Sequence, residues 1–221
     1  MNLPLLLAVA AALRIFGTAL SIAAPLVVAP RSRLSPAAWS FFWWLVLGGV
    51  SNIVSGVMMT RGMNNQAVFL VYRLLSVLLL GITGYRLLTV PKQRELIVGI
   101  TILYVVLWLG LTLTGVEPPN AISRYTSPGE KIVFLVLGVL FVAESIRASE
   151  ASPFRHPGSW IGIGLVLAGA TGVVVFPITA EVFKHSRDYA SLVKPFSSIF
   201  SDIALFLWCI PYWKRSVTWA R

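Results

Sequence analysis

The sequence predicts an all-α polytopic membrane protein, a single domain over residues 1–221 built as a bundle of seven transmembrane helices. Charged residues make up 12% of the chain, against about 25% in soluble domains. The hydrophobic share is 57% and mean hydropathy is +0.82. The apolar residues fall into runs of about 20, each enough to cross about 30 Å of hydrocarbon at about 1.5 Å per residue. Such runs leave almost nothing of the chain for a soluble domain.

The first run, residues 3–28, is α1. It lacks a basic leading segment, holds Arg14 at its middle and is too long for a signal-peptide core, so it reads as a retained helix. Arg31 and Arg33 follow, and Ser35-Pro36 reads as an N-cap with proline in the first turn of α2, residues 37–59. Gly48, Asn52 and Gly56 recur at spacing four on α2, with Ser51 and Ser55 on a neighbouring stripe, a pattern that lets another helix approach closely. The short 60–65 loop makes α3, residues 66–88, antiparallel to α2; it carries Arg73 about two turns in.

Beyond Pro91, α4 (95–114) is almost wholly apolar, with Tyr104 and Trp108 its only large polar-tipped residues, and reads as lipid-facing or structural. The 115–126 loop bears Pro118-Pro119. Ser127-Pro128-Gly129-Glu130 then matches a capping box opening α5, residues 128–147, which has Glu144 in its last turn. α6 (158–176) carries Gly158, Gly162, Gly164, Ala168 and Gly172, and Pro177 is expected to stop it. The mixed stretch 178–189 reads as interfacial, and α7 occupies 190–213.

Lysine and arginine bias sets the orientation. With the N-terminus outside, the inner segments hold Arg31, Arg33, Arg86, Lys92, Arg94, Arg147, Arg155, Lys214, Arg215 and Arg221, ten in all. The outer ones hold six: Arg61, Arg124, Lys131, Lys184, Arg187 and Lys194. The expectation is N-out, C-in, in the inner membrane of a cell. The net charge of +10 is spread over short loops, which suits anionic lipid headgroups and argues against nucleic acid. Cys209, the single cysteine, excludes an intrachain disulfide and a cysteine-built metal site.

Four residues form the expected polar interior: Arg14, Asn52, Arg73 and Asp202. An ionised side chain in hydrocarbon costs at least ~2.5 to 3.5 kcal/mol, so Arg73 should face protein, water or a carboxylate. Asp202 is the one acidic residue that reads as deep in an apolar run. By helical rise, Arg14 and Asp202 lie roughly 15 Å from the outer end and Arg73 and Asn52 roughly 10 Å. α1 and α7 are neighbours in any closed ring of seven helices, so a structural Arg14–Asp202 pair is one reading. The other takes two cations against one anion as an unmatched positive charge suited to an anionic ligand.

Several chemistries lack their residues. His156 and His185 both fall in loops, which argues against haem or zinc in the bundle. Asp202 has no second deep carboxylate with which to share a proton, as an aspartyl protease requires. No base reads as near Ser51, Ser55, Ser76, Ser197 or Ser198. Phe206 stands one turn beyond Asp202, where a rhodopsin carries its retinal lysine. No catalytic set, cofactor or metal is therefore expected. Trp39, Trp43, Trp44, Trp160, Trp213 and Trp219 lie near helix ends, as interfacial belts require.

Pro25-Leu26 with Arg31 and Arg33, the run GMNNQAVFLVYRLLSVLLLGITGYRLL, Ser123-Arg124-Tyr125, Pro157 with Trp160 and Gly164, and Asp202-Ile203 resemble a group of small bacterial seven-helix proteins. That resemblance implies the fold and a sensory role without a defined reaction. The chain departs from the group at Phe69, Ser76, Ser198 and Asp202. Ala24-Pro25 and the following basic loop also resemble the first repeat of SWEET sugar transporters, which implies a 3+1+3 arrangement. The expected function is a non-enzymatic membrane protein, a sensor-like module or an accessory subunit, binding a small anionic or lipidic ligand in its outer half. A protein partner or second copy would dock through the small-residue stripes of α2 or α6; small-solute transport is the alternative.

Overall fold

The computed structural model describes residues 35–120, 123–148, 152–185 and 187–213, together with Ala19 and Ala23, and side chains for all of these except 175–198 and 213. The α1 run with Arg14, and the C-terminal basic residues from Lys214, lie outside the described residues. Everything described is helix, turn or loop, with α2 at Pro36–Thr60, α3 at Gln66–Leu87, α4 at Pro91–Leu113, α5 at Thr126–Ala148, α6 at Pro157–His185 and α7 at Arg187–Trp213. Among the described residues, four stretches are long and apolar enough to cross a membrane: Pro36–Thr60, Gln66–Leu87, Pro91–Leu113 and Pro157–Val174. Ile199–Tyr212 is a shorter apolar stretch. The chain is an all-α protein with the character of a membrane protein, and lipid is its environment.

α2 begins where Ser35-Pro36 places it: the Ser35 hydroxyl accepts the Ala38 N–H at 3.2 Å, satisfying one of the orphan donors of the first turn. α4 starts at Pro91 rather than 95, because a proline whose missing N–H costs nothing in the first turn opens the helix ahead of the apolar run. Two other boundaries depart from expectation. α5 starts at Thr126, one turn before Glu130, and its first N–H groups are taken by Glu117 from the preceding loop, so Ser127 and Glu130 form no capping box. α6 runs through Pro177 to His185, so the stretch read as interfacial is helical up to that residue. An internal proline forfeits one backbone bond, and membrane helices absorb that loss through neighbouring helices and local adjustment.

The helices pack in the order α2–α3–α5–α6–α7, with α4 laid outside against α3 and α5. α4 buries only Ile97 and Tyr104 and exposes Ile102, Leu103, Val106 and Leu113, so it is the peripheral helix its composition suggests. Glycines set the closest approaches. A Cβ on Gly138 would lie 2.7 Å from the Gly162 carbonyl oxygen, and one on Gly162 would lie 2.6 Å from the Gly138 carbonyl oxygen. Those two backbones therefore touch. Gly164 faces the Trp208 indole, and Gly169 and Gly172 face Leu135 and the Lys131 stem. The α6 glycines are thus taken up within the chain by α5 and α7, which removes them as a docking stripe. On α2, Gly48 faces Tyr72 while Gly56 has open space beside it.

Candidate functional site

α2 and α7 are joined chiefly by aromatic side chains. Toward the α2 start, Phe41 stacks on Tyr212 at 6.3 Å, and the Tyr212 hydroxyl donates to the Ala38 carbonyl at 2.9 Å. About one turn further along, Trp44 meets Trp208 edge to face at 4.6 Å, and the Trp208 indole N–H donates to the Ile161 carbonyl at 3.3 Å. Beyond these rings the two helices leave a cleft of about 70 Å³. Its α2 wall is Trp44, Leu45, Gly48, Gly49 and Asn52; Tyr72 of α3 and Leu205 and Trp208 of α7 complete it. The absence of side chains at Gly48 and Gly49 makes the space.

A hydrogen-bonded set backs this wall. Ser76, fully buried on α3, accepts the Trp44 indole N–H at 2.6 Å and is hydrogen-bonded to the Tyr72 hydroxyl. Glu130, 1% exposed, lies near enough for its charge to act on both the Tyr72 and Tyr104 hydroxyls, as the Arg73 charge does with opposite sign. Its Oε2 pairs with Lys131 Nζ at 3.1 Å, while Oε1 has no hydrogen-bond partner among the described residues. Lys131 Nζ also sits 4.5 Å from the centre of the Phe134 ring.

Asn52 is exposed and lines the cleft. Arg73 satisfies its expected need for protein by donating to the Ser123 hydroxyl at 2.5 Å, on the side of the α4–α5 loop, and does not line the cleft. Asp202 is 2% exposed on α7, six residues before Trp208 and so about 9 Å further along the axis, between the levels of Gly48 and Asn52. Asn52 and Asp202 therefore share a height across the α2–α7 seam, and Arg73 belongs to a separate contact. Arg14 lies outside the described residues.

Three buried carboxylates escape a reading based on apolar runs, and Asp202 is not the only deep acid. Glu117, 2% exposed, accepts the backbone N–H of Tyr125 and of Thr126, the latter at 3.3 to 3.4 Å, and the Thr126 hydroxyl at 2.6 Å. Glu144, 1% exposed, accepts the Thr89 N–H at 3.2 Å and hydroxyl at 2.7 Å, and pairs with Arg147 at 2.6 Å; Arg147 also donates to the Thr89 hydroxyl. Glu130 is the third. The legible signal was the polar-tipped Tyr72 and Tyr104, whose hydroxyls need partners inside a lipid-embedded bundle. At the Glu144 end, His156 Nδ1 accepts the Gly158 N–H at 3.2 Å and lies 3.0 Å from the Ser145 hydroxyl. Burial lowers the His156 pKa, and the Glu144 charge offsets this only in part.

Among the described residues no group of three or more histidines, cysteines or carboxylates stands where it would hold a metal. Comparison with protein-family models, with curated proteins and with solved structures finds no match to this chain. The likeness to small bacterial seven-helix proteins and to sugar transporters therefore rests on the quoted residues alone.

Proposed function

We propose that this chain is a non-enzymatic protein of the inner membrane, N-out and C-in, acting as a sensor-like module or accessory subunit whose α2–α3–α7 cleft takes a small lipidic ligand. The observation that carries this reading is the cleft itself, a concave site lined by aromatic rings and glycine and backed by a buried hydrogen-bond set. A lipidic ligand suits the lining better than an anionic one, because Arg73 is engaged by Ser123 and no basic residue among the described ones lines the space. At about 70 Å³ the cleft seats a group of a few heavy atoms, so one end of an amphiphile enters it. Any output passes to a partner protein, and with the α6 glycines buried the available small-residue surface is the outer part of α2 around Gly56.

The test uses tryptophan fluorescence in nanodiscs containing lipids brominated along the acyl chain. Trp39 and Trp43 are exposed and supply a background, so the comparison is with the Trp44→Phe and Trp208→Phe variants. Quenching that loses a component in each variant supports occupancy of the cleft. Equal quenching in parent and variants rejects it. Crosslinking in native membranes with mass spectrometry tests the partner, and recovery of the monomer alone would remove it from the reading.

Small-solute transport stands second, favoured by the peripheral α4, which suits the linking helix of a 3+1+3 arrangement. Against it, Trp44 and Trp208, which line the cleft, meet ring to ring across the α2–α7 seam. Uptake of labelled solutes into proteoliposomes separates the two.

A further inference from the structure

We infer that the group the cleft receives is a small organic ammonium ion, held among the rings of Trp44, Tyr72 and Trp208 and drawn by the buried Glu130 carboxylate near Tyr72. This rests on the cleft being a ligand site, and goes beyond it by naming the ligand's charge.

The lining carries indole, phenol, amide and alkyl groups and, among the described residues, no cation. Aromatic faces attract a positive charge through the ring quadrupole, most strongly where water is excluded, and alkylated ammonium ions meet such walls with little desolvation cost. An anion would meet the same faces repulsively. Glu130 adds the second element. It is 1% exposed, Oε1 has no hydrogen-bond partner among the described residues, and its charge acts on the Tyr72 hydroxyl that forms the cleft wall. The cations near it are engaged by protein: Lys131 closes on Oε2 and over Phe134, and Arg73, whose charge also acts on the Tyr72 hydroxyl, donates to Ser123. Tyr104 contributes a neutral hydroxyl that donates to the Thr126 carbonyl at 3.0 Å. The small volume selects a compact head such as trimethylammonium, with any longer substituent leaving through the open mouth.

The chemistry is shared by free alkylammonium ions and by lipid headgroups, so the experiment has an arm for each. The purified full chain in detergent is titrated with choline chloride and with its neutral isostere 3,3-dimethyl-1-butanol, at matched chloride, following tryptophan fluorescence. The expected result is saturable binding of choline at least about ten-fold tighter than of the alcohol, weakened by a similar factor in Trp208→Leu and in Glu130→Gln. A Tyr72→Phe variant retains the ring and should keep most of the choline binding. Equal affinity for choline and the alcohol overturns the inference, as does tighter binding of a carboxylate probe such as 3,3-dimethylbutyrate. The parent titrations decide this even where a variant fails to fold. Nanodiscs of phosphatidylcholine against phosphatidylglycerol then identify the source: competition with choline only in phosphatidylcholine assigns the headgroup, and no competition in either assigns the free ion. Brominated-chain quenching without choline selectivity sinks the ammonium inference and leaves the lipid site standing. Absence of both removes the site.

Discussion

Replacing Gly162 by alanine should loosen the bundle, whereas the same replacement at Gly56 should tighten it. A Cβ at Gly162 would stand 2.6 Å from the Gly138 carbonyl oxygen, 2.9 Å from Val142 Cγ2 and 3.0 Å from the Val142 nitrogen. Ordinary contact begins near 3.4 Å, so α5 and α6 must part by 3.4 − 2.6, or about 0.8 Å. Two of the three obstructing atoms are backbone, and no rotamer change relieves them. Overpacking costs about 1 to 3 kcal/mol, and a rigid obstacle puts this site at the upper end. Alanine recovers about 1 kcal/mol of helix propensity, leaving a net loss of about 2 kcal/mol. At Gly56 nothing among the described residues lies within 4 Å, so only the propensity gain remains, up to about 1 kcal/mol of stabilisation. Unfolding in mixed micelles by titration with dodecyl sulfate measures both. If the two variants shift in the same direction, or Gly162→Ala equals the parent, the α5–α6 backbones are not in contact as described.

Glu117→Ala should cost about 2 to 3 kcal/mol, combining loss of a helix cap with the desolvated N–H groups it leaves behind; amide exchange should accelerate at Tyr125 and Thr126 before elsewhere, and unchanged protection there would contradict the cap. His156 is less basic folded than unfolded, so the stability it holds is complete above the unfolded value of about 6.5 and falls as pH drops below it. The parent should therefore lose melting temperature between about pH 7 and 5 more steeply than His156→Phe, and parallel slopes would dismiss the effect. Asp202→Asn and Arg14→Gln should each destabilise by about 3 to 5 kcal/mol if these two pair, with the double variant recovering much of the loss; additive losses would show that they do not. Reporter fusions near Ser123 and at Arg221 should report opposite compartments, and same-side signals would overturn the N-out, C-in assignment.

The helices were legible because apolar runs of membrane length announce themselves, and Ser35-Pro36 and Pro91 carry the local chemistry of a helix start. The ends were less so. Glu130 has the spacing of a capping box after Ser127, yet the helix opens earlier, at Thr126, where Glu117, eight residues before Tyr125, takes the Tyr125 and Thr126 N–H groups. Pro177 reads as a stop because one backbone bond is lost there, a local cost that the α6 backbone absorbs. Of the polar interior, Asn52 and Asp202 were recognisable as polar residues within apolar runs, although helical rise set them at different depths and the structure sets them at one height across the seam. Glu130 and Glu144 were not, since Glu130 stands beside Lys131 and Glu144 three residues before Arg147, each at the edge of an apolar run where it looks like an interfacial residue. Only the pairing of α3 with α5 brings Tyr72 and Thr89 to them.

The aromatic contacts between α2 and α7 turn that seam into a lever. Trp44 on Trp208 fixes one point, Gly48 stands four residues or about 6 Å beyond it, and the end of α2 at Thr60 stands sixteen residues or about 24 Å beyond it. A head group that wedges the seam open by about 1 Å at Gly48 therefore swings Thr60 by about 4 Å, the ratio of the two arms. The rings serve as a fulcrum, and the short arm is where the cleft sits. Spin labels at Thr60 and Ile199 would register that fourfold gain as a longer distance on ligand addition, whereas a distance unchanged under saturating ligand would show the seam to be rigid.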